Sequence, residues 1–83
     1  MKLLYFAWVR QKIGKSEEDI ARPANVATVR DLAAHLCALG PGYADALADL
    51  SRLRAALNQE HVVFDTRIGD GDEVAFFPPV TGG

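Results

Sequence analysis

Residues 70–83 read Asp70-Gly71-Asp72-Glu73-Val74-Ala75-Phe76-Phe77-Pro78-Pro79-Val80-Thr81-Gly82-Gly83. Asp70-Gly71-Asp72 has the composition of a tight turn. Glu73 to Phe77 then suits a strand, with Val74 and Phe76 on one face and Phe77 on the other. After Phe77 the residue types change. Pro78 and Pro79 lack the N–H that a ladder needs and restrict φ, while Gly82 and Gly83 present no side chain. The expected organisation is a folded domain over residues 1–77 and an extended arm over 78–83. An arm of that length spans roughly 20 Å, enough to enter another protein's cleft. Ordering it would cost about 6–12 kcal/mol of backbone entropy, so a docking partner has to supply compensating contacts.

A terminal strand needs neighbours. Residues 2–9 are almost continuously apolar and aromatic, which predicts a central strand with Leu3, Tyr5, Ala7 and Val9 on one face and Leu4, Phe6 and Trp8 on the other. Gly14-Lys15 suits a turn, and the charged stretch 16–21 suits an edge strand. Thr28-Val29-Arg30-Asp31 has the form of a helix start, with Thr28 as N-cap and Asp31 in the position of a capping-box acid. Val29, Leu32, Ala33, Leu36 and Cys37 follow at helical spacing, and Gly40-Pro41-Gly42 is expected to stop the helix. A short helical turn at 44–50, a strand at 53–58, a turn at Asn58-Gln59-Glu60 and a strand at 61–64 complete the order. Two strands, one helix and further strands do not alternate as a wound parallel sheet does. The fold class expected is α+β: a mixed sheet of about five strands with one main helix across one face. That helix leaves Phe6 and Phe77 on the uncovered side, as candidates for partner contact.

The chain has 83 residues, 49% of them hydrophobic, enough for one small core and no second. Nine Lys and Arg against eleven Asp and Glu give a net charge of −2 without long runs of either sign. That balance argues against nucleic acid as a partner, which requires clustered cations. Cys37 is the only cysteine, so an internal disulfide and a thiolate-rich metal site are both excluded, and a reducing cytoplasm is expected. The apolar opening is cut short by Arg10, so neither a signal sequence nor a membrane span is expected.

Several residues suggest chemistry and are better explained by structure. Cys37 lies on the apolar stripe, where a small buried hydrophobe is the ordinary reading. His35 and His61 have no carboxylate or cysteine at ligand spacing, and no metal site is expected. Asp70, Asp72 and Glu73 suit a solvated turn and are too short a motif for a calcium loop. No nucleophile has a base at recognisable spacing and no glycine loop could cradle a phosphate, so an enzyme acting alone is not expected.

The whole segment 70–83 resembles the ending of molybdopterin synthase small subunits, which share the ubiquitin-like β-grasp fold. Phe6-Ala7 with Arg10, Thr28-Val29-Arg30-Asp31-Leu32 and Asn58-Gln59 agree with the same family, so the resemblance spans almost the full chain. It implies that the Gly83 carboxylate is the reactive group. A carboxylate with a terminal pKa of about 3.5 resists attack as the anion, so an E1-like enzyme would adenylate Gly83 with ATP before sulfur is installed as a thiocarboxylate. The tail, with Pro78, Pro79, Val80, Thr81 and Gly82 behind the reactive glycine, would enter the large synthase subunit. There the sulfur would pass to cyclic pyranopterin monophosphate in molybdenum cofactor biosynthesis. The resemblance further implies a heterotetramer, no stably bound cofactor, and partner contact at Phe6, Arg10, His61 and Phe77.

Two positions depart from the family pattern. Gln11 stands where Glu often follows the arginine, and His61 stands where an apolar residue is common. Two other functions remain open: a sulfur carrier for thiamine or another sulfur-containing product, and a ubiquitin-like modifier or adaptor. Thiamine carriers are usually shorter and lack Phe-Phe-Pro-Pro. An adaptor would keep its function without Gly82 and Gly83.

Overall fold

In the computed structural model, which describes residues 1–79, the central strand is shorter than the apolar run at 2–9 predicts. β1 spans Lys2–Tyr5, and the chain then turns into a helix, α1 (Ala7–Ile13). The turn is made by Ala7 at φ 54, a left-handed conformation in which no side chain caps the helix. Gly14, at φ 90, ends α1 by donating its N–H to the Arg10 carbonyl at 2.8 Å. The expected single strand over 2–9 is therefore corrected: Val9 is buried from a helix, and Trp8 and Arg10 are helical residues.

The charged return is β2 (Glu17–Asp19), at the sheet edge where its composition suits it. The second helix, α2 (Val29–Cys37), begins as its sequence dictates. Thr28 Oγ1 accepts the Asp31 N–H at 3.1 Å, and Asp31 Oδ2 accepts the Thr28 N–H at 3.2 Å. A second bond, from Ala27 N–H at 3.0 Å, helps hold the Asp31 carboxyl below its usual range. Gly40-Pro41 does not only stop this helix. Pro41 opens another, α3 (Pro41–Leu47), as the first-turn residue whose missing N–H costs nothing. A 3-10 turn (Leu50–Arg52) leads into β3 (Arg54–Leu57), followed by β4 (Glu60–Val62) and β5 (Glu73–Phe77).

The five strands form one sheet in the order β2-β1-β5-β3-β4. β1 and β5 pair in parallel at the centre and the other pairs are antiparallel, the mixed arrangement expected of a β-grasp. Among the described residues three helices take part in the packing, where one main helix and a short helical turn at 44–50 are expected from the sequence. Val9 from α1, Leu32 and Leu36 from α2 and Leu47 from α3 join Leu3, Tyr5, Ala55, Val74 and Phe76 from the strands in a single core. Gly42 lets α3 approach α1, because a Cβ there would lie 2.6 Å from the Lys12 carbonyl oxygen.

Polar side chains tie the sheet to the helices. Glu18 Oε2 accepts hydrogen bonds from Tyr5 Oη and Tyr43 Oη, each at 2.7 Å, joining β1, β2 and α3. Burial opposes the Glu18 anion, but the two phenols and nearby Lys15 outweigh it and hold its carboxyl below the ordinary value. Tyr5 is pushed well above the usual tyrosine range by its own burial and then by the Glu18 carboxylate.

Candidate functional site: the uncovered sheet face

Strand alternation sends Leu4, Ala56, His61, Glu73, Ala75 and Phe77 to the face away from the helices. The register sets Leu4 beside Ala75, Ala75 beside Ala56 and Ala56 beside His61 in one row. Phe6 follows directly on β1, with its N–H donated to the Phe76 carbonyl at 3.2 Å. The result is a shallow groove of about 420 Å³, with alanines at its floor and aromatic side chains at its rim. The alanines are what make it concave. Phe6 remains 49% exposed, a large apolar surface left in water.

His61 lines the groove as a polar residue, with Gln59 and Glu73. Its ring meets that of Phe77 with centroids 5.2 Å apart and a 57° tilt, so one edge of the imidazole is covered by the strand that leads to the tail. Gln59 also lines the groove, from the two-residue β3–β4 turn, in which Asn58 and Gln59 take φ of 51° and 71°. Asn58 secures this turn to β5 by donating its N–H to the Glu73 carbonyl at 2.8 Å and accepting the Glu73 N–H at 2.9 Å. The Asn58 amide and the Gly69 N–H both bond the Asp72 carboxylate, holding it below its usual range. Asp70 pairs with Arg22 at 2.7 Å. Both aspartates of the turn thus have structural partners.

Of the residues singled out in the sequence, Phe6, His61 and Phe77 are brought together in the groove. Arg10 is exposed on α1 and is not among the groove residues. Trp8, expected on the open face, instead packs partly against the core, with the Arg52 guanidinium 5.1 Å from its ring centre. Pro78 and Pro79 follow β5 and are half-buried, while Val80, Thr81, Gly82 and Gly83 lie outside the described residues. Sequence reasoning put Leu4 on the face of Phe6 without naming it as a contact residue, and missed Ala56, Ala75 and Gln59 as groove residues. Period-two alternation through β3 and β5 is the signal that would have found the two alanines.

Cys37 is half-buried, with Sγ 3.9 Å from the Tyr43 carbonyl oxygen, and burial pushes its thiol above the ordinary value, away from nucleophile chemistry. Among the described residues no group of three or more His, Cys, Asp or Glu could hold a metal ion, and no helix is long and apolar enough to cross a membrane.

The chain is 48% identical over 83 residues to the molybdopterin synthase sulfur carrier subunit of Escherichia coli, covering 100% of this chain and 99% of the relative. In fold it is similar to the small archaeal modifier protein 1 of Haloferax volcanii, with a TM-score of 0.68, 22% identity and coverage of 96% and 97%. It is similar as well to a chain in the complex of subunits 1 and 2 of the molybdopterin-converting factor from Helicobacter pylori, with a TM-score of 0.63, 23% identity and coverage of 99% and 96%. The ThiS family matches residues 3–83. The chain belongs to the ThiS family, and within it to the molybdopterin synthase sulfur carrier subunits.

Proposed function

We propose that this protein is the sulfur carrier of a molybdopterin synthase, with a domain over residues 1–77 that docks and a tail over 78–83 that carries the sulfur. The observation that carries the reading is the full-length 48% identity to a sulfur carrier subunit. An apolar groove that gathers Phe6, His61 and Phe77 at the root of the tail is consistent with it.

An oxygen of the Gly83 carboxylate attacks the α-phosphate of ATP on an E1-like enzyme, giving a mixed anhydride and pyrophosphate. Hydrosulfide then forms a C–S bond at the activated carbonyl, AMP and a proton leave, and the tail ends in a thiocarboxylate. The large subunit accepts the loaded tail, and the sulfur passes to cyclic pyranopterin monophosphate as the acyl C–S bond breaks and water restores the Gly83 carboxylate. ATP is a substrate of the activating enzyme, and the carrier itself needs no bound cofactor. The reaction is assigned to the cytoplasm.

Docking uses the groove. Completing the burial of Phe6 is worth about 1 kcal/mol if half of an aromatic side chain's transfer energy remains to be gained. Arg10 adds a contact at its margin. Intact mass before and after incubation with the activating enzyme, ATP and a sulfur source tests the chemistry, with a chain lacking Gly83 as control. Replacement of one oxygen by sulfur in the full chain alone is the expected result. An unchanged mass, with an activating enzyme competent on another carrier, removes the thiocarboxylate mechanism.

A further inference from the structure

Charge is distributed unevenly along β5. Its entry is acidic on balance, with Asp70, Asp72 and Glu73 in and beside the preceding turn and Glu60 in the adjoining hairpin, against Lys2 opposite Glu73 and Arg22 paired with Asp70. Its exit is basic. Arg54 is the register partner of Phe77, Arg52 lies two residues before it, and Arg10 lies one turn into the helix that begins beside Phe6. This end is positive in a chain whose net charge is −2, so it is not a by-product of a basic composition.

The exit arginines, like Arg67, lack the ion pairs that hold Arg22 and Arg30 among the described residues. Arg22 and Arg30 sit in ion pairs of 2.7 and 2.8 Å with Asp70 and Asp65. Among the described residues, Arg10, Arg52 and Arg54 form no ion pair. Arg52 lies over the Trp8 ring at 5.1 Å, and Arg54 Nη1 donates to the Leu53 carbonyl at 2.8 Å. Asp49 feels the Arg52 charge, but its Oδ1 is bonded to Ser51. A guanidinium positioned by an aromatic face or a carbonyl keeps its charge and most of its donors, so it is preorganised for an incoming carboxylate.

We infer that the large subunit presents acidic side chains around the point where the tail enters it, and that Arg52 and Arg54 of this chain read them. The inference rests on the sulfur-carrier reading and adds the chemistry of the partner surface. The gradient along β5 gives docking a direction: the basic exit is drawn to the acidic entrance, and a reversed approach sets the carboxylates of the β5 entry against it. The apolar groove then supplies the contact that persists at any salt concentration.

Binding of the full chain to the large subunit should be measured by calorimetry across ionic strength, from about 0.05 M to about 0.5 M, where the screening length contracts to a few ångströms. Wild type is expected to weaken as salt rises. The double variant Arg52→Glu with Arg54→Glu should bind at least tenfold more weakly at low salt and converge on wild type at high salt. Arg52→Gln with Arg54→Gln should fall between them, and Phe6→Ala should lose affinity throughout. Both arginines are exposed, and a thermal melt confirms that each variant is folded. Equal affinity of wild type and the folded charge-reversed variant at low salt overturns the inference while leaving the large subunit as partner. Absence of wild-type binding at every salt concentration overturns the partner assignment and the inference with it.

Discussion

Gln59 holds φ 71 in a two-residue turn whose geometry suits a residue without a Cβ. Gln59→Gly is therefore expected to stabilise the fold by about 0.5–1 kcal/mol, the relief of left-handed strain less the greater chain entropy of glycine. Chemical denaturation reads this directly, and an unchanged or lower midpoint would show that the Gln59 side chain contributes more than its backbone costs. Gly42 is the opposite case. A methyl group there meets the Lys12 carbonyl at 2.6 Å, and neither backbone can yield without parting α1 from α3. Gly42→Ala should cost about 1–3 kcal/mol, as overpacking of a close contact does, with a matching fall in melting temperature. The sequence showed Gly42 only as a helix breaker, since a close approach is a property of two segments. Phe6 and Phe77 were legible as open-face residues because their neighbours Tyr5 and Phe76 are so plainly core. Trp8 was not, because the chain has already left the strand when it reaches that residue.

At the scale of elements, Glu18 joins β1, β2 and α3 through two phenols, and the pH response of that junction has a definite sign. The folded protein holds this carboxyl below its ordinary value of 4.5. Its contribution is thus fully present above the unfolded pKa and is lost as pH falls through the folded one. Glu18→Gln should lower stability at neutral pH, and the gap from wild type should close on acidification through the glutamate range. A gap that stays constant with pH would mean that the Glu18 anion has no role in the junction. The elements differ in how far local sequence decides them. α2 was legible because its capping box lies within four consecutive residues, Thr28 to Asp31. The β1–α1 boundary was not, because no capping side chain marks it and a strand and a buried helix share the same apolar run. α3 was half legible: its alanines and leucines pointed to helix, but Pro41 read as a stop when it is a start.

For the molecule as a whole, the fully buried side chains run from Leu3 to Phe76, and β5 ends at Phe77. Among the described residues the core therefore closes before Pro78, and it is composition that made the segment 78–83 legible in the sequence. No strand or helix among the described residues extends past Phe77. A chain truncated by removal of Gly82 and Gly83 should melt at the wild-type temperature and bind the large subunit through the groove, yet acquire no sulfur from the activating enzyme. A lower melting temperature would place the tail inside the cooperative unit. Sulfur loading of the truncated chain would move the reactive group from Gly83 to some other residue. If the groove and the tail are separable, Phe6→Ala should show the converse, weakened docking with no loss of the thiocarboxylate once the chain has been loaded. The two variants together divide the protein into a part that recognises and a part that reacts.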